Sequence, residues 1–384
     1  MDFGLSEEQQ AVREAAERFA RERLAPGYAA RDGAGLLDRA LIREMGALGF
    51  LAPELPEALG GLGLDRLTSG LAMEALAAGD FNMAYVPLLA SLNGQIVAEH
   101  AVPEVAAEWV PRICAGEAMV ALALTEPRGG SDAGNLQLSM RRDGNDWILD
   151  GEKTSISCAE QADAAVVFAR SGRPDQGAAG VSAILVPLDR PGIARTRFED
   201  LGQRAVGRGS IFFDAVRVPG RYLLGAEGEG FRQVMQGFDF SRALIGLQCL
   251  AVATASLEET WAYVAGREAF GRPLSAFQGV SHRLAELDTQ LQAARLLCLK
   301  ALWLKDRGLP HTAEAAMCKW WAPKLAFEAV QACLLFHGHA GYSRELPYEQ
   351  RLRDLLGLQI GDGTAEIMKT IVARQRVGRQ AVPN

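Results

Sequence analysis

The chain has 384 residues, of which 49% are hydrophobic and 23% are charged, and its formal net charge is -7. At roughly 150 residues per domain, this length predicts two or three domains with substantial buried cores. The ordinary apolar and charged fractions exclude wholesale disorder and fibrous repeats. The mildly acidic balance disfavours nucleic-acid binding by bulk charge, although helix N-termini and single arginines can still hold a small anion.

The sequence carries no targeting signal that we recognise. Its first residues, MDFGLSEEQQ, show no basic region followed by an apolar core, so we expect no signal peptide. No apolar run approaches the ~20 residues that cross a bilayer, so we expect no membrane partner. The six cysteines form no CxxC pair, which favours buried thiols in a reducing compartment. The sequence therefore predicts a cytoplasmic protein.

The first part of the chain, residues 1–118, is predicted to be a helical domain. Ser6 and Gln9 have the spacing of a capping box, and apolar side chains follow at helical spacing. Glycine and proline pairs then separate further helices.

The middle part, residues 119–228, is predicted to be a β domain. Short β-prone runs, separated by turn residues, occur at 147–149, 165–168, 183–186 and 211–213. Because no helical run lies between them, they favour a small antiparallel sheet or barrel over βαβ units.

The last part, residues 229–384, is predicted to be helical again. Apolar stripes with few helix breakers fill the windows 251–265, 280–304 and 312–336. Long helices with short connections favour an antiparallel bundle. The fold class is therefore α+β, with helical, β and helical domains in that order.

The segment 122–135, LALTEPRGGSDAGN, passes from an apolar strand into a glycine turn that carries Thr125 and Ser131. Its hydroxyls and free backbone N–H groups suit an anionic or hydrogen-bonding ligand. A polar turn between two elements would have the same residues. No glycine pattern in the chain matches the Rossmann dinucleotide-binding fingerprint.

A second segment, DLLGLQIGDGT at 354–364, places Asp362 between two glycines, just before a helix that Thr364 is predicted to cap. Spacing alone favours a connector here over a ligand site. A third segment, 267–274 with Gln278, is typical of a helix–helix connection. His337 and His339 have no evident third ligand, so we predict no metal site.

Seven segments, taken together, resemble the acyl-CoA dehydrogenase family in order and spacing: LPEALGGLGLD, LTEPRGGSD, LDGEKTSIS, FFDAVRVP, GEGF, REAFGRPLSAFQ and GDGTAEIMKTIVARQ. The resemblance covers nearly the whole chain. It implies an N-terminal helical domain, a central antiparallel β-barrel and a C-terminal four-helix bundle. It also implies an acyl-CoA substrate, FAD between barrel and bundle, and a homotetramer or homodimer whose subunits share the FAD site.

The resemblance also implies a role for each site residue. On the barrel side, Leu124, Thr125 and Ser157 would bind the cofactor, and Ser131 would lie where cofactor and substrate approach each other. On the bundle side, the implied cofactor contacts are Arg267, Phe270 and Gln278, which reach a neighbouring subunit's FAD, and Thr364, which meets the diphosphate at a helix N-terminus. Arg242 and Gly363 would contact the substrate.

The implied chemistry removes the α-proton of the thioester while a β-hydride passes to the flavin. Asp362 would be the base, and its backbone N–H would form an oxyanion hole with a flavin ribityl hydroxyl. The family usually carries glutamate at this position, and aspartate reaches roughly 1.5 Å less far. Ser155 stands where the family usually has a tryptophan that covers the outer edge of the flavin. The electron partner that the resemblance implies is electron-transfer flavoprotein. Leu335 and His339 also replace a glutamine and a glycine that are common in the family.

These departures leave two other functions open. One is a flavin oxidase or monooxygenase-type relative, similar to nitroalkane oxidases, that acts on a small acidic substrate without CoA. The other is a flavin- or CoA-binding subunit that has lost catalysis.

Overall fold

A computed structural model describes residues 4–380 and residue 382. The N-terminal part contains the helices α1 (Glu7–Phe19), α2 (Tyr28–Ala34), α3 (Arg39–Ala47), α4 (Arg66–Gly79), α5 (Tyr85–His100) and α6 (Pro103–Cys114). The predicted capping box is confirmed, since the Ser6 hydroxyl accepts from the Gln9 N–H and the Gln9 side chain accepts from the Ser6 N–H, both at 3.1 Å. Helices α4 and α5 are buried on nearly all sides.

The central part forms one eight-stranded sheet, in the hydrogen-bonded order β6-β7-β3-β2-β4-β5-β8 with β1 beside β4. Its strands are β1 (Val120–Ala123), β2 (Ser139–Asp143), β3 (Asp146–Ser157), β4 (Ala164–Arg170), β5 (Val181–Pro187), β6 (Ile193–Arg195), β7 (Arg208–Pro219) and β8 (Leu223–Leu224). Most pairs are antiparallel, as predicted. The expectation of a purely antiparallel domain needs one correction, because β4 pairs in parallel with β1 along its length and with β2 at one position.

The C-terminal part is a helical bundle. Its elements are α7 (Gly230–Gly266), a short hairpin of β9 (Glu268–Ala269) and β10 (Arg272–Pro273), α8 (Gln278–Asp306), α9 (Thr312–Phe336), α10 (His339–Tyr342), α11 (Tyr348–Ile360) and α12 (Ala365–Val377). Contrary to the expectation from the sequence, α7 is long and apolar enough to cross a membrane by length and composition. However, 89% of its apolar window is buried inside the fold, as in the core helix of a bundle.

The three parts share one continuous apolar core. It joins α4 and α5 to α7, and α5 to β1, and it contains all six cysteines as buried free thiols. The α+β fold of helices, sheet and bundle is therefore confirmed. The predicted domain boundaries stay a prediction, and their outermost residues (1–3, 381, 383 and 384) lie outside the described ones.

Candidate active site

The centre of the site is the turn between α11 and α12. Asp362 and Gly363 both have a positive φ, 57° and 107°, so the chain reverses sharply before Thr364 begins the next helix. Thr364 is the predicted N-cap: its hydroxyl accepts from the Ile367 N–H at 3.4 Å. The φ of 107° at position 363 is one that residues with a side chain rarely adopt, so this position favours glycine. The turn thus holds the half-buried Asp362 at the N-terminus of α12.

Two buried cations from the bundle face this turn. The Lys319 ammonium of α9 donates to the carbonyls of Leu358 at 2.7 Å and Gly363 at 3.2 Å. These two hydrogen bonds attach the backbone before and after Asp362 to α9. Arg242 of α7 is paired with Asp239 at 3.1 Å, and its Nε atom is buried without a hydrogen-bond partner. Lys319 and Arg242 are therefore the positive charges nearest to the base candidate on the bundle side.

Burial and charge act in opposite directions on Asp362. Burial raises the pKa of its carboxyl group, while Lys319, Arg242 and Arg208 act to lower it, and the net pKa lies above the ordinary value. Burial also lowers the pKa of Lys319, to about 8. A raised carboxyl pKa suits a group that must accept a proton.

Two further side chains reach the same space from the other parts of the fold. Tyr85 begins α5, is buried, and its hydroxyl interacts with Ser157 and Arg208. Arg208 is the first residue of β7 and pairs with Ser157 across the ladder to β3. Burial opposes the charge on Arg208, but Tyr85, Asp200 and Asp362 together raise its pKa.

The glycine turn after β1 is held by a buried ion pair. Glu126 accepts from the Lys153 ammonium at 2.7 Å and from the backbone N–H groups of Gln137 and Leu138. Lys153 also donates to the Leu124 carbonyl at 2.9 Å, and burial lowers its pKa to about 8. Because Thr154 N–H donates to the Thr125 carbonyl at 2.9 Å, this turn lies beside the end of β3.

Comparison with known proteins decides which family this architecture belongs to. Family models of the acyl-CoA dehydrogenase N-terminal, middle and C-terminal domains match residues 6–117, 121–216 and 228–376. The chain belongs to the acyl-CoA dehydrogenase family. It is an FAD-dependent oxidoreductase that acts on acyl-CoA.

Relatives align along almost their full length. The mitochondrial short-chain specific acyl-CoA dehydrogenase of Bos taurus is 36% identical, over 96% of this chain and 90% of its own. Two solved structures are similar throughout. One is a structure of the electron transferring flavoprotein of Acidaminococcus fermentans, with a TM-score of 0.95, 34% identity, and 98% and 100% of the two chains covered. The other is a Mycobacterium smegmatis glutaryl-CoA dehydrogenase in complex with FADH2, with a TM-score of 0.92, 28% identity, and 97% and 95% covered.

The site offers hydrogen-bonding groups of the kinds that bind FAD. Thr125 lies beside the end of β3 that carries Ser157, and Thr364 caps the N-terminus of α12. A Cβ at Gly129 or Gly130 would meet nothing nearer than 3.9 Å, so the turn leaves its backbone open to a bound group. Hydroxyls, an open glycine turn and a helix N-terminus are the groups that hold flavin and diphosphate oxygens.

The structure does not bring every implied site residue to Asp362. Ser131 lies exposed at the tip of its turn, and Arg267, Phe270 and Gln278 lie exposed around the β9–β10 hairpin, Phe270 at 96%. The predicted role of these hairpin residues towards a neighbouring subunit's FAD stays a prediction. Of the two histidines, His337 stacks on Tyr263 inside the bundle, while His339 is exposed.

Four residues of the site were not found from the sequence: Glu126, Lys153, Arg208 and Lys319. Tyr85 was not singled out either, although it lies in the apolar segment 81–93 that the sequence predicts to line part of the pocket. Glu126 and Lys153 do stand inside the quoted motifs, but Lys153 lies between the polar residues Glu152 and Thr154, so no local pattern marks the buried pair. Arg208 and Lys319 belong to unremarkable strand and helix segments, and only the tertiary structure places them beside Asp362.

Proposed function

We propose that Asp362 is the base that removes the α-proton of an acyl-CoA in an α,β-dehydrogenation. A single observation supports this most directly: the pKa of the Asp362 carboxyl is raised, on a turn that Lys319 holds by the Gly363 carbonyl. When bound, FAD supplies the acceptor for the hydride that leaves the β-carbon.

The turn can also stabilise the charge that develops on the thioester oxygen. Loss of the α-proton moves negative charge onto that oxygen, and a backbone N–H aimed at it lowers the barrier. The Gly363 carbonyl is engaged by Lys319, which fixes the orientation of the peptide units around Asp362. We propose that the Asp362 N–H is one donor of this oxyanion hole. Thr125, Ser157 and Thr364 would hold the cofactor, and Arg242 and Gly363 would border the substrate.

The first test is anaerobic mixing of the FAD-loaded enzyme with acyl-CoAs while the flavin absorbance is followed. We expect bleaching with the correct thioester. Asp362→Asn should slow that bleaching by about 10³-fold, because it removes the proton acceptor at nearly constant shape. The matched control is Asp288→Asn on α8, whose side-chain partner is Gln292 on the same helix.

The outcomes separate the three functions. FAD that stays bound to Asp362→Asn while reduction is lost supports a catalytic base, and excludes a subunit without catalysis. Unchanged reduction by that variant contradicts the proposal. Rapid oxygen consumption with a small acidic substrate that lacks CoA, and no response to any thioester, would support the oxidase instead.

We further propose electron-transfer flavoprotein as the electron acceptor, a homotetramer or homodimer as the assembly, and the cytoplasm as the compartment. The similarity to a chain in an electron transferring flavoprotein structure supports the acceptor. Phe270, Leu335 and Tyr342 expose large apolar side chains, which supports a covered surface. Reoxidation of the reduced enzyme by that flavoprotein and sedimentation of the holoenzyme would test the first two.

A further inference from the structure

Arg208 is a buried cation that the proposed reaction does not use. It lies where the sheet meets α11, because its guanidinium is close to Gly357: a Cβ at that glycine would be 3.4 Å from Nη2. Only 15% of its side chain is exposed. Placing a guanidinium here costs free energy of desolvation unless hydrogen-bond acceptors surround it.

Hydrogen bonds through Gln203 hold the Arg208 guanidinium against α11. Its Nη2 donates to the Gln203 side-chain oxygen, and the Gln203 side-chain amide donates to the Asp354 carbonyl at 2.6 Å. The backbone N–H of Gln203 also donates to the Asp354 carboxylate. These bonds anchor the guanidinium to α11, but a neutral amide oxygen does not balance its charge.

The Asp200 carboxylate balances the charge of Arg208 only in part. Asp200 lies 3.6 Å from Nη1, beyond hydrogen-bond distance, and its Oδ2 atom is buried without a hydrogen-bond partner. The Tyr85 hydroxyl is hydrogen-bonded to Arg208 and to Ser157, and Asp362 is near enough to act electrostatically on both Tyr85 and Arg208. The space beside the base therefore presents a guanidinium and a phenol, both of which can donate hydrogen bonds.

A plain alkyl chain does not suit this space. The Tyr85 hydroxyl is hydrogen-bonded to Arg208 and to Ser157 but carries no charge, so an alkyl chain would take water from the guanidinium without supplying a countercharge. A carboxylate at the end of the acyl chain would accept from Arg208 and Tyr85, and a guanidinium matches two carboxylate oxygens well.

We propose that the acyl group of the substrate carries a carboxylate, and that Arg208 and Tyr85 bind this carboxylate beside Asp362. The inference rests on the proposed function, since it names the substrate class of the same site. Arg208 is then the residue that selects the substrate, and Gln203 is a positioning residue that orients it.

The test compares acids with their own neutral esters. Succinyl-, glutaryl- and adipyl-CoA vary the chain length, and the monomethyl ester of each removes the charge while the chain is kept. Binding is read from the perturbation of the flavin spectrum, and flavin reduction is read under anaerobic conditions. We expect the best acid to bind about tenfold to a hundredfold more tightly than its ester.

Variants of Arg208 assign that preference. Arg208→Gln should remove this preference. We expect the acid to bind about tenfold to a hundredfold more weakly, with little change in the binding of the ester. Arg208→Lys should keep part of the preference as a point charge. The matched control is Arg204→Gln in the loop just before β7. The Arg204 side chain is 41% exposed and lies 4.0 Å from the Asp32 carboxylate.

Each outcome decides for or against the inference. Esters that bind to the wild-type enzyme as well as the acids overturn it, and so does an equal loss for acid and ester in Arg208→Gln. If esters reduce the flavin as fast as acids, the dehydrogenation stands and the carboxylate site falls. If acids bind preferentially but no thioester reduces the flavin, the carboxylate site stands and the proposed function falls.

Discussion

Lys319 connects the interior of the bundle to the chemistry of Asp362. Its side chain is buried, yet it carries a charge whose pKa is lowered to about 8, and its hydrogen bonds go to the backbone of the turn. Its charge is the largest influence that acts against the burial of Asp362. One residue therefore sets both the position and the acidity of the base.

Lys319→Met should shift the acidic limb of the activity profile. Asp362 acts only when ionised, so kcat/KM falls as the pH drops through its pKa. Loss of the Lys319 charge leaves burial less opposed, raises that pKa, and should move the limb to higher pH by about one unit. The profile of kcat/KM against pH measures this.

Lys324→Met is the control for that profile. It lies on the same helix, α9, but is exposed and paired with Glu328 at 3.6 Å. We expect its acidic limb to coincide with the wild type. An unmoved limb in Lys319→Met would mean that the lysine only supports the fold.

At the scale of elements, α11 positions the site by packing closely against the loop before β7, which carries Gln203. Gly357 allows this approach, because a Cβ there would lie 2.8 Å from the Gln203 side-chain nitrogen. That nitrogen is tied to the Asp354 carbonyl and cannot simply move aside. A glycine within a helix is normally a weakness, and here it leaves room for Gln203 and Arg208.

Gly357→Ala should therefore destabilise the enzyme although alanine is the better helix former. Helix propensity alone predicts a gain of about 1 kcal/mol, whereas crowding of Gln203 costs about 1–3 kcal/mol. The midpoint of chemical denaturation measures the difference. Gly279→Ala on α8, where a Cβ would meet nothing within 4 Å, should instead be neutral or stabilising. A gain at both positions would contradict the crowding.

At the scale of the whole molecule, Asp354 joins all three parts of the fold. Its carboxylate accepts from Tyr28 at 2.7 Å and Asn82 at 2.9 Å in the N-terminal part, and from Gln203 in the β domain. Burial raises the pKa of Asp354 to about 7. Its contribution to stability is fully present below about pH 4 and is lost as the pH rises through 7, because over this range the unfolded chain has released the proton that the folded state still holds.

Asp354→Asn should flatten the fall in stability between about pH 4 and 7. The amide stays neutral, and Asn82 can turn its own side-chain oxygen, which has no partner, towards it. Asp354→Ala leaves three donors unsatisfied and should lose about 2–4 kcal/mol of unfolding free energy. Unfolding free energies at several pH values measure both, with the exposed Asp175→Asn as control. A slope in Asp354→Asn equal to the wild type would contradict the assignment.

Much of the fold followed from the sequence because its signals are local. The caps at Ser6 and Thr364 depend on atoms three residues away, and the long helices α7 to α9 depend on apolar side chains that recur every turn. The order of helices, sheet and bundle was predictable for the same reason. The parallel pairings of β4 were not, because register between distant strands leaves no mark in either strand alone.

The sequence by itself determined the family, the α+β fold and the position of the carboxylate at 362. Only the tertiary structure decided which charges act on that carboxylate. Lys319, Arg208 and Tyr85 come from a bundle helix, a sheet strand and an N-terminal helix, and none has a pattern that marks it. Caps and periodic burial arise between neighbours along the chain, whereas Coulomb interactions and desolvation depend on distances through space that the packing of the three parts creates.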